Sequence, residues 1–418
     1  MKMRSKKVLV AIVAVVLAIV HCFVVVGCVG KQGDETTGTD FVITTKSGDQ
    51  DTTSVTTDKT ETDETTSTDV IHTGDYVDLL TGYPCEKDLS STRPVAVVVD
   101  NSSLALKHQS GLGEAAIVYE GLVAPGITRF LAVYSDYESV PYICNVRSAR
   151  KFTIDWAQSH NAILVCHGGP SSKDSPYDIS ELLVERYGDP ALIINTLTEY
   201  WFATAEGGDM YNTIRHKGDR ADLLYDTCIT KEALVKALTN TSSSKFVKAG
   251  GKVEGKVLES IKHYSKNSTS PATVGNQDAT YVKLKFTAEG TQTSMLVEYD
   301  YDEVTQTYKR SQEGVAHKDA ETGKQLSFKN LLVIVTDVDV ITSGVASDPY
   351  MTDIRTTGSG TAYYFTNGKV LKCFWSKNSA SSELSVVDSQ GKDVIFSQGN
   401  TYIGYVDTSF EGTDGFYR

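Results

Sequence analysis

The chain has 418 residues, with 40 Lys and Arg against 53 Asp and Glu, a formal net charge of −13 and 40% hydrophobic residues. So acidic a balance excludes a surface that broadly attracts nucleic acid, and any anion site has to be a local basic pocket. The length is enough for two cores of ordinary domain size.

Lys2, Arg4, Lys6 and Lys7 open the chain, and Val8 to Val20 is an apolar run. That order is the pattern of an export signal. Val25-Val26-Gly27-Cys28 then fits a bacterial lipobox, with Cys28 as the residue to be lipidated. An uncleaved membrane-spanning anchor is the other reading, since the run is nearly long enough to span. The cysteine at its end and the polar stretch that follows favour the lipoprotein. On either reading the body is expected to be extracytoplasmic, anchored to the outer face of the bacterial cytoplasmic membrane. Residues 1–27, read as the signal peptide, carry the four basic residues and no acidic one, which leaves −17 on the remainder.

Residues 28–75 are rich in Thr, Ser and Asp and poor in large apolar residues. They read as a disordered tether, unable to bury enough surface to fold. Folding is expected from about Tyr76. Arg93 to Asn101 (RPVAVVVDN) is β-branched and apolar with a polar end, the pattern of a buried strand. A short turn or helix and a strand ending at Glu120 follow, then a strand with Arg129 near its start.

The stretch Pro141 to Pro170 carries the densest chemistry. A loop bears Arg147 and Arg150, an amphipathic helix follows, and a buried strand from Ala162 to Cys166 opens onto His167, Gly168 and Gly169. Two guanidiniums at one helix start and a glycine turn at the next strand end suit an anionic ligand. Strands alternating with helices suggest an α/β sheet, whose ligands sit at the carboxyl ends of strands. Asp100, Asn101, Glu120 and His167 are placed at such ends.

After a loose stretch containing Tyr200, Trp201, Phe202 and Tyr211, residues 231–238 read as a helix, and the polar run after them as a domain boundary. Beyond it, period-two strand patterns dominate, and Asn367-Gly368 is a hairpin signal. The expected class is α+β. It has an N-terminal α/β domain with a mixed sheet (76–250) and a mostly antiparallel β domain (251–418).

Each candidate has a structural reading beside its functional one. Arg147 and Arg150, three apart, would share one side of a helical turn and clamp phosphate or carboxylate. Equally, they would be paired with Asp100, Glu120 or Asp155. Arg129 either joins them or is structural. Asp100 with Asn101 reads as a turn cap, or as a metal ligand or a base, and His167-Gly168-Gly169 as a satisfied histidine or as a base beside a backbone nest. Ser148 is a nucleophile by position alone. The aromatic cluster reads as core or as a sugar platform. Lys309, Arg310, His317 and Lys377 read as solvated strand faces rather than a second patch.

Seven cysteines are present. Beyond Cys22 and Cys28, the five in the body (Cys85, Cys144, Cys166, Cys228 and Cys373) show no CxxC spacing. Neither a disulfide framework nor a zinc knuckle is expected, although an exported chain admits one disulfide. Cys144 and Cys166 are expected to pack as small hydrophobes. No metal and no cofactor are expected, and HExxH, GxSxG, Walker A and GxGxxG motifs are all absent.

At RPVAVVVDN, QSGL, IVYE, GITRFLAV and VRSAR the chain resembles the YerB-like family of bacterial lipoproteins. The resemblance continues through Tyr308-Lys309-Arg310, His317-Lys318-Asp319, Gly358-Ser359-Gly360 and Trp375-Ser376-Lys377. It implies N- and C-terminal domains of unknown function and a lipid anchor. Where such proteins tend to carry Pro-His-Asn-Leu-Tyr, this chain has Arg220-Ala221-Asp222-Leu223-Leu224-Tyr225. Two functions follow. One is a binding protein that holds an anionic envelope component, or an envelope protein, at the Arg147/Arg150 pocket. The other is an enzyme acting on envelope polymers, phosphotransferase- or ligase-like. In order of features it is loosely similar to the LytR–CpsA–Psr family.

Overall fold

Seven consecutive residues, Val95–Asn101 (β1), are all buried, as a strand covered on both faces must be. In chain order the elements that matter next are β2 (Ile117–Ala124), β3 (Ile127–Tyr134), α1 (Lys151–Gln158), β4 (Ile163–Cys166), α2 (Ile179–Tyr187), β5 (Ile193–Asn195), α3 (Lys231–Thr239), β6 (Tyr281–Phe286), β7 (Met295–Asp302), β8 (Thr307–Gln312), β9 (Asn330–Thr336), β10 (Gly358–Thr366), β11 (Lys369–Lys377) and β12 (Thr401–Asp407). The structure is a computed structural model and describes residues 72–171, 175–188, 192–195, 227–239, 254–342, 350–410 and 415–418. The expected leader, Cys28, the expected tether before residue 72, Tyr200 to Phe202, Tyr211 and Arg220 to Tyr225 lie outside the described residues. No helix among the described residues is long and apolar enough to cross a membrane.

The fold is α+β and rich in strands. An 11-stranded sheet runs in the order Gln277–Asp278, β11, β10, β9, β12, β2, β3, β1, β4, β5, with Ser385–Val387 beside β11. The expected boundary near residue 250 falls outside the described residues, and the strands on its two sides belong to this one sheet. The joint is β12, which lies parallel to β2 (Thr401 opposite Ile117, Tyr405 opposite Gly121) and parallel to β9 on its other side. β1, β2, β4, β5, β9 and β12 all run the same way, while β3 and β10 oppose them. β11, antiparallel to β10, runs with the six, so seven carboxyl ends lie at one edge.

Side chains alternate across a sheet, so directly opposed residues share a face. One face is covered by a second, antiparallel sheet of five strands that includes β6, β7 and β8. Tyr299 of that sheet lies 5.1 Å, ring to ring, from Tyr402 of β12, and Phe328 lies 5.5 Å from it. The other face carries α1, whose Trp156 stacks on Tyr119 at 5.2 Å and reaches Tyr405 at 4.9 Å. A hairpin, Val338–Thr342 with Tyr350–Ile354, also lies there, and its Thr352 hydroxyl bonds the Leu122 carbonyl.

Local sequence explains the elements. Asn367 and Gly368 both take positive φ, 52° and 68°, in the two-residue turn joining β10 to β11, as that dipeptide indicates. Asp178 caps α2 by accepting from the Ser180 and Glu181 amides at 2.9 and 3.2 Å, and Gly188 ends it at φ 62°. One expectation fails. Cys144 does not pack as a free thiol but is joined to Cys228, closing a sequence separation of 84 residues. The scattered spacing hid this pair, because Ile143–Cys144 and Cys228–Ile229 meet only through a short antiparallel pairing. Cys166 is buried, as expected.

Candidate functional site

The carboxyl edge of β1 and β4 is where the arginine loop arrives. The Arg147 amide donates to the Val98 carbonyl at 2.9 Å, and the His167 amide donates to the Arg147 carbonyl at 2.9 Å. Ala149 then donates to the Gly168 carbonyl at 2.9 Å. The loop is thus laced between β1 and the segment after β4. Helix α1 begins only at Lys151, with Arg150 extended at its N-cap. Arg147 and Arg150 therefore do not share a helical turn, which corrects the expected i, i+3 clamp: the main-chain bonds of residues 147–149 hold them extended.

Asp100, on β1, is opposite Arg129 on β3, so the two side chains lie on one face. Arg147 Nε donates to Asp100 Oδ2 at 2.8 Å, with side-chain exposures of 23% and 2%. Burial works to raise the Asp100 carboxyl, but the charges of Arg129 and Arg147 outweigh it and hold it below the usual carboxylate range. Arg129 Nη1 donates to the Ser148 carbonyl at 2.8 Å, and Arg150 Nη1 to the Ala149 carbonyl at 3.1 Å. His167 is half-buried. Burial first, and Arg147 second, lower its pKa, which favours the neutral imidazole. The Ser148 hydroxyl donates to the main-chain carbonyl of His167 at 2.9 Å. Lys151, next along, pairs with Asp353 of the hairpin at 2.9 Å.

Gly168 takes φ +66°, which is costly for other residues. A side chain at Gly169 would strike Ile179, its Cβ 2.1 Å from Ile179 Cγ1. The two glycines turn the chain and let α2 approach.

Asn101, Thr128 and Glu120 face the other way. Glu120 is not at a strand end but inside β2, buried on the side of the second sheet. It accepts from Arg310 Nη2 (3.1 Å to each oxygen), the Tyr402 hydroxyl (2.6 Å), the Thr128 hydroxyl (2.6 Å) and Asn101 Nδ2 (2.9 Å). Arg310 is fully buried, its guanidinium 5.1 Å from the centre of the Phe130 ring. Its Nη1 bonds Gln312 Oε1 at 2.9 Å and His317 Nδ1. The His317 Nε2 bonds Gln109 Oε1, and Gln109 Nε2 donates to the Asp100 carbonyl at 2.6 Å. An arginine can only donate, so His317 is the Nε2–H tautomer, and burial followed by the Arg310 charge depresses its pKa well below the ordinary value.

The candidates thus fall into two groups. Asp100, Arg129, Arg147, Arg150, His167, Gly168 and Gly169 meet at the edge on the α1 side. Asn101 and Glu120 belong to a buried network on the opposite face. The expectation of solvated strand faces fails for Arg310, His317 and Lys377, which are 0%, 4% and 2% exposed. Lys377 instead donates to the Asp155 carbonyl at 3.2 Å, while the Asp155 carboxylate holds Arg186 at 3.2 Å. Sequence reading missed Gln109 and Tyr402 altogether. The burial of Arg310 was legible, because in Thr307–Gln312 it alternates with Tyr308 and Gln312 on one face. No group of three or more His, Cys, Asp or Glu suited to a metal occurs among the described residues.

Residues 80–185 match the N-terminal domain, and residues 282–403 the C-terminal domain, of the protein family of unknown function DUF3048. The chain is similar to the lipoprotein YerB of Bacillus subtilis, 27% identical over 328 residues, covering 78% of this chain and 85% of that one. It is also similar to the crystal structure of the YerB protein from Bacillus subtilis. There the TM-score is 0.59 and the identity 25%, over 80% of this chain and 98% of that one.

Proposed function

The chain belongs to the YerB-like family, with its paired N- and C-terminal domains of unknown function, and we propose that it holds an anionic component of the cell envelope at the Asp100–Arg147 edge. On this reading the body works outside the cell, tied to the outer face of the cytoplasmic membrane by lipid on Cys28. The name of its relative, a lipoprotein, supports that location. The observation that carries the binding reading is charge. Arg129 and Arg147 both act on the buried carboxylate of Asp100, which gathers two guanidiniums at one strand end of an acidic chain. Arg147 is partly exposed and can meet a ligand without unfolding the edge. Guanidiniums suit phosphate and carboxylate because their donors match those oxygens in pairs.

Thermal melting of the full chain in detergent, with and without millimolar phosphate or pyrophosphate, tests this. A ligand that binds the native state at one hundred times its Kd stabilises by about 2.7 kcal/mol, so the melting temperature of the wild type should rise, and the rise should vanish in Arg147→Ala. An unshifted wild type, or a shift retained in the variant, counts against an anion site here.

A further inference from the structure

The two faces of the sheet are chemically connected. From the Asp100 carbonyl a path runs to Gln109 Nε2, from Gln109 Oε1 to His317, from His317 to Arg310, from Arg310 to Glu120, and from Glu120 to Asn101. Asn101 is covalently next to Asp100, so the path closes into a ring. Two of its members, Arg310 and His317, come from the C-terminal half of the chain. The other four come from the N-terminal half. The ring grips the last two residues of β1 from the face opposite the arginines.

We infer that Arg310 and His317 are positioning residues for the arginine edge, holding through Gln109 and Glu120 the strand end that presents Asp100 to Arg147. The inference rests on the binding reading above for what the edge does, and on geometry alone for how it is held. Asp100 has its carboxylate on one side of the strand, toward Arg147 and the Ser102 amide (2.8 and 3.1 Å), and its carbonyl bound from Gln109. A strand end fixed at both groups has little freedom to swing its carboxylate. The ring is polar and buried, and each member is bonded to its neighbours, while Asn101 Oδ1 and Arg310 Nε have no hydrogen-bond partner among the described residues; such a network rigidifies a site when its links are made and loosens it when one is missing. The ring also explains why a histidine stands at 317. A neutral imidazole of fixed tautomer accepts from an arginine on one nitrogen and donates to an amide oxygen on the other. A glutamine side chain offers the same acceptor and donor; a leucine offers neither.

The test is hydrogen exchange at the amides of Asp100, Ser102 and Arg147, with pyrophosphate affinity measured in parallel, on the full chain. In His317→Leu, exchange at these three amides should quicken about tenfold or more while protection elsewhere in the central sheet stays near wild type, and pyrophosphate binding should weaken. His317→Gln should restore both. In His317→Leu, Arg310 Nη1 still has Gln312, which favours folding. Should that variant fail to fold, Gln109→Met cuts the ring on its other side and should loosen the same amides. Wild-type exchange at all three amides in the cut variants would overturn the inference. So would uniform loosening of the whole sheet, or a His317→Gln that behaves like His317→Leu. If the wild type binds no pyrophosphate, the binding reading fails by itself, and the exchange data still decide the ring.

Discussion

Arg310 Nη2 lies 3.1 Å from both carboxylate oxygens of Glu120, although the two residues are 190 positions apart. Both side chains have no solvent exposure. Such a pair is costly to desolvate, so its value shows when one partner is removed rather than when both are. Arg310→Met should destabilise the protein by about 3–5 kcal/mol, because it leaves Glu120 charged and buried without its cation. The double change Glu120→Leu with Arg310→Met should cost less than the sum of the singles. Urea unfolding of the four proteins in a double-mutant cycle measures this, and additive costs would show that the pair does not act as a unit.

The Cys144–Cys228 disulfide closes a long loop in the same region, immediately before the arginines. On the chain-entropy account, a loop of this size is worth about 4–5 kcal/mol of restriction on the unfolded chain. Replacing both cysteines by serine should lower the melting temperature, and dithiothreitol should lower the wild type toward the variant while leaving the variant unchanged. Equal melting of all four samples would mean that the crosslink contributes nothing to stability.

Acid should destabilise the fold through its buried histidines. His160 and His263 are pulled down to about 3, each mainly by burial, and His317 also lies well below its ordinary value. Their partners, the Tyr119 hydroxyl at 2.7 Å from His160 and the Thr401 hydroxyl at 3.1 Å from His263, serve a neutral ring. In the unfolded chain each ring takes a proton below about pH 6.5; in the native state it does not. Stability is therefore fully present above pH 6.5 and is lost as pH falls from there toward 3, at up to about 1.4 kcal/mol per pH unit for each histidine. Asp78 and Asp155, raised chiefly by burial, work in the opposite direction near pH 4. Urea midpoints between pH 7.5 and 5 isolate the histidines. A flat profile over that window would contradict the assignment, and His263→Gln should make the wild-type slope shallower by one proton.

The strands and the arginine loop were legible because their signals are local. Val95 to Val99 is apolar throughout, Asn367-Gly368 names its turn, and Arg147 and Arg150 are adjacent to a helical pattern. The grouping of side chains was less legible. Asp100 and Asn101 are neighbours in sequence but opposite in direction, and period two alone separates them once the strand is drawn through both. Glu120 was read as a strand end, yet β2 continues through Gly121 to Ala124. What no local pattern carries is partnership across the chain. Gln109 has no periodic context to mark it, and nothing near Tyr402 in sequence announces Glu120. The Cys144–Cys228 bond was hidden for the same reason, since its geometry depends on where a distant segment returns.

Strand β12 carries a consequence for the order in which the molecule can be made. It occupies residues 401–407 of 418 and is the neighbour of β2, whose own residues are 117–124. A chain growing from its amino end must hold β2 with one side unpaired until residues 401–407 have emerged. Pairings of such separation form late and slowly, because the closure of a long loop precedes any reward from contact. An open β2 edge through that interval is a ready template for another chain. The native sheet is thus completed only once residues 401–407 appear, and a polypeptide cut short before Thr401 would keep a core strand exposed for good.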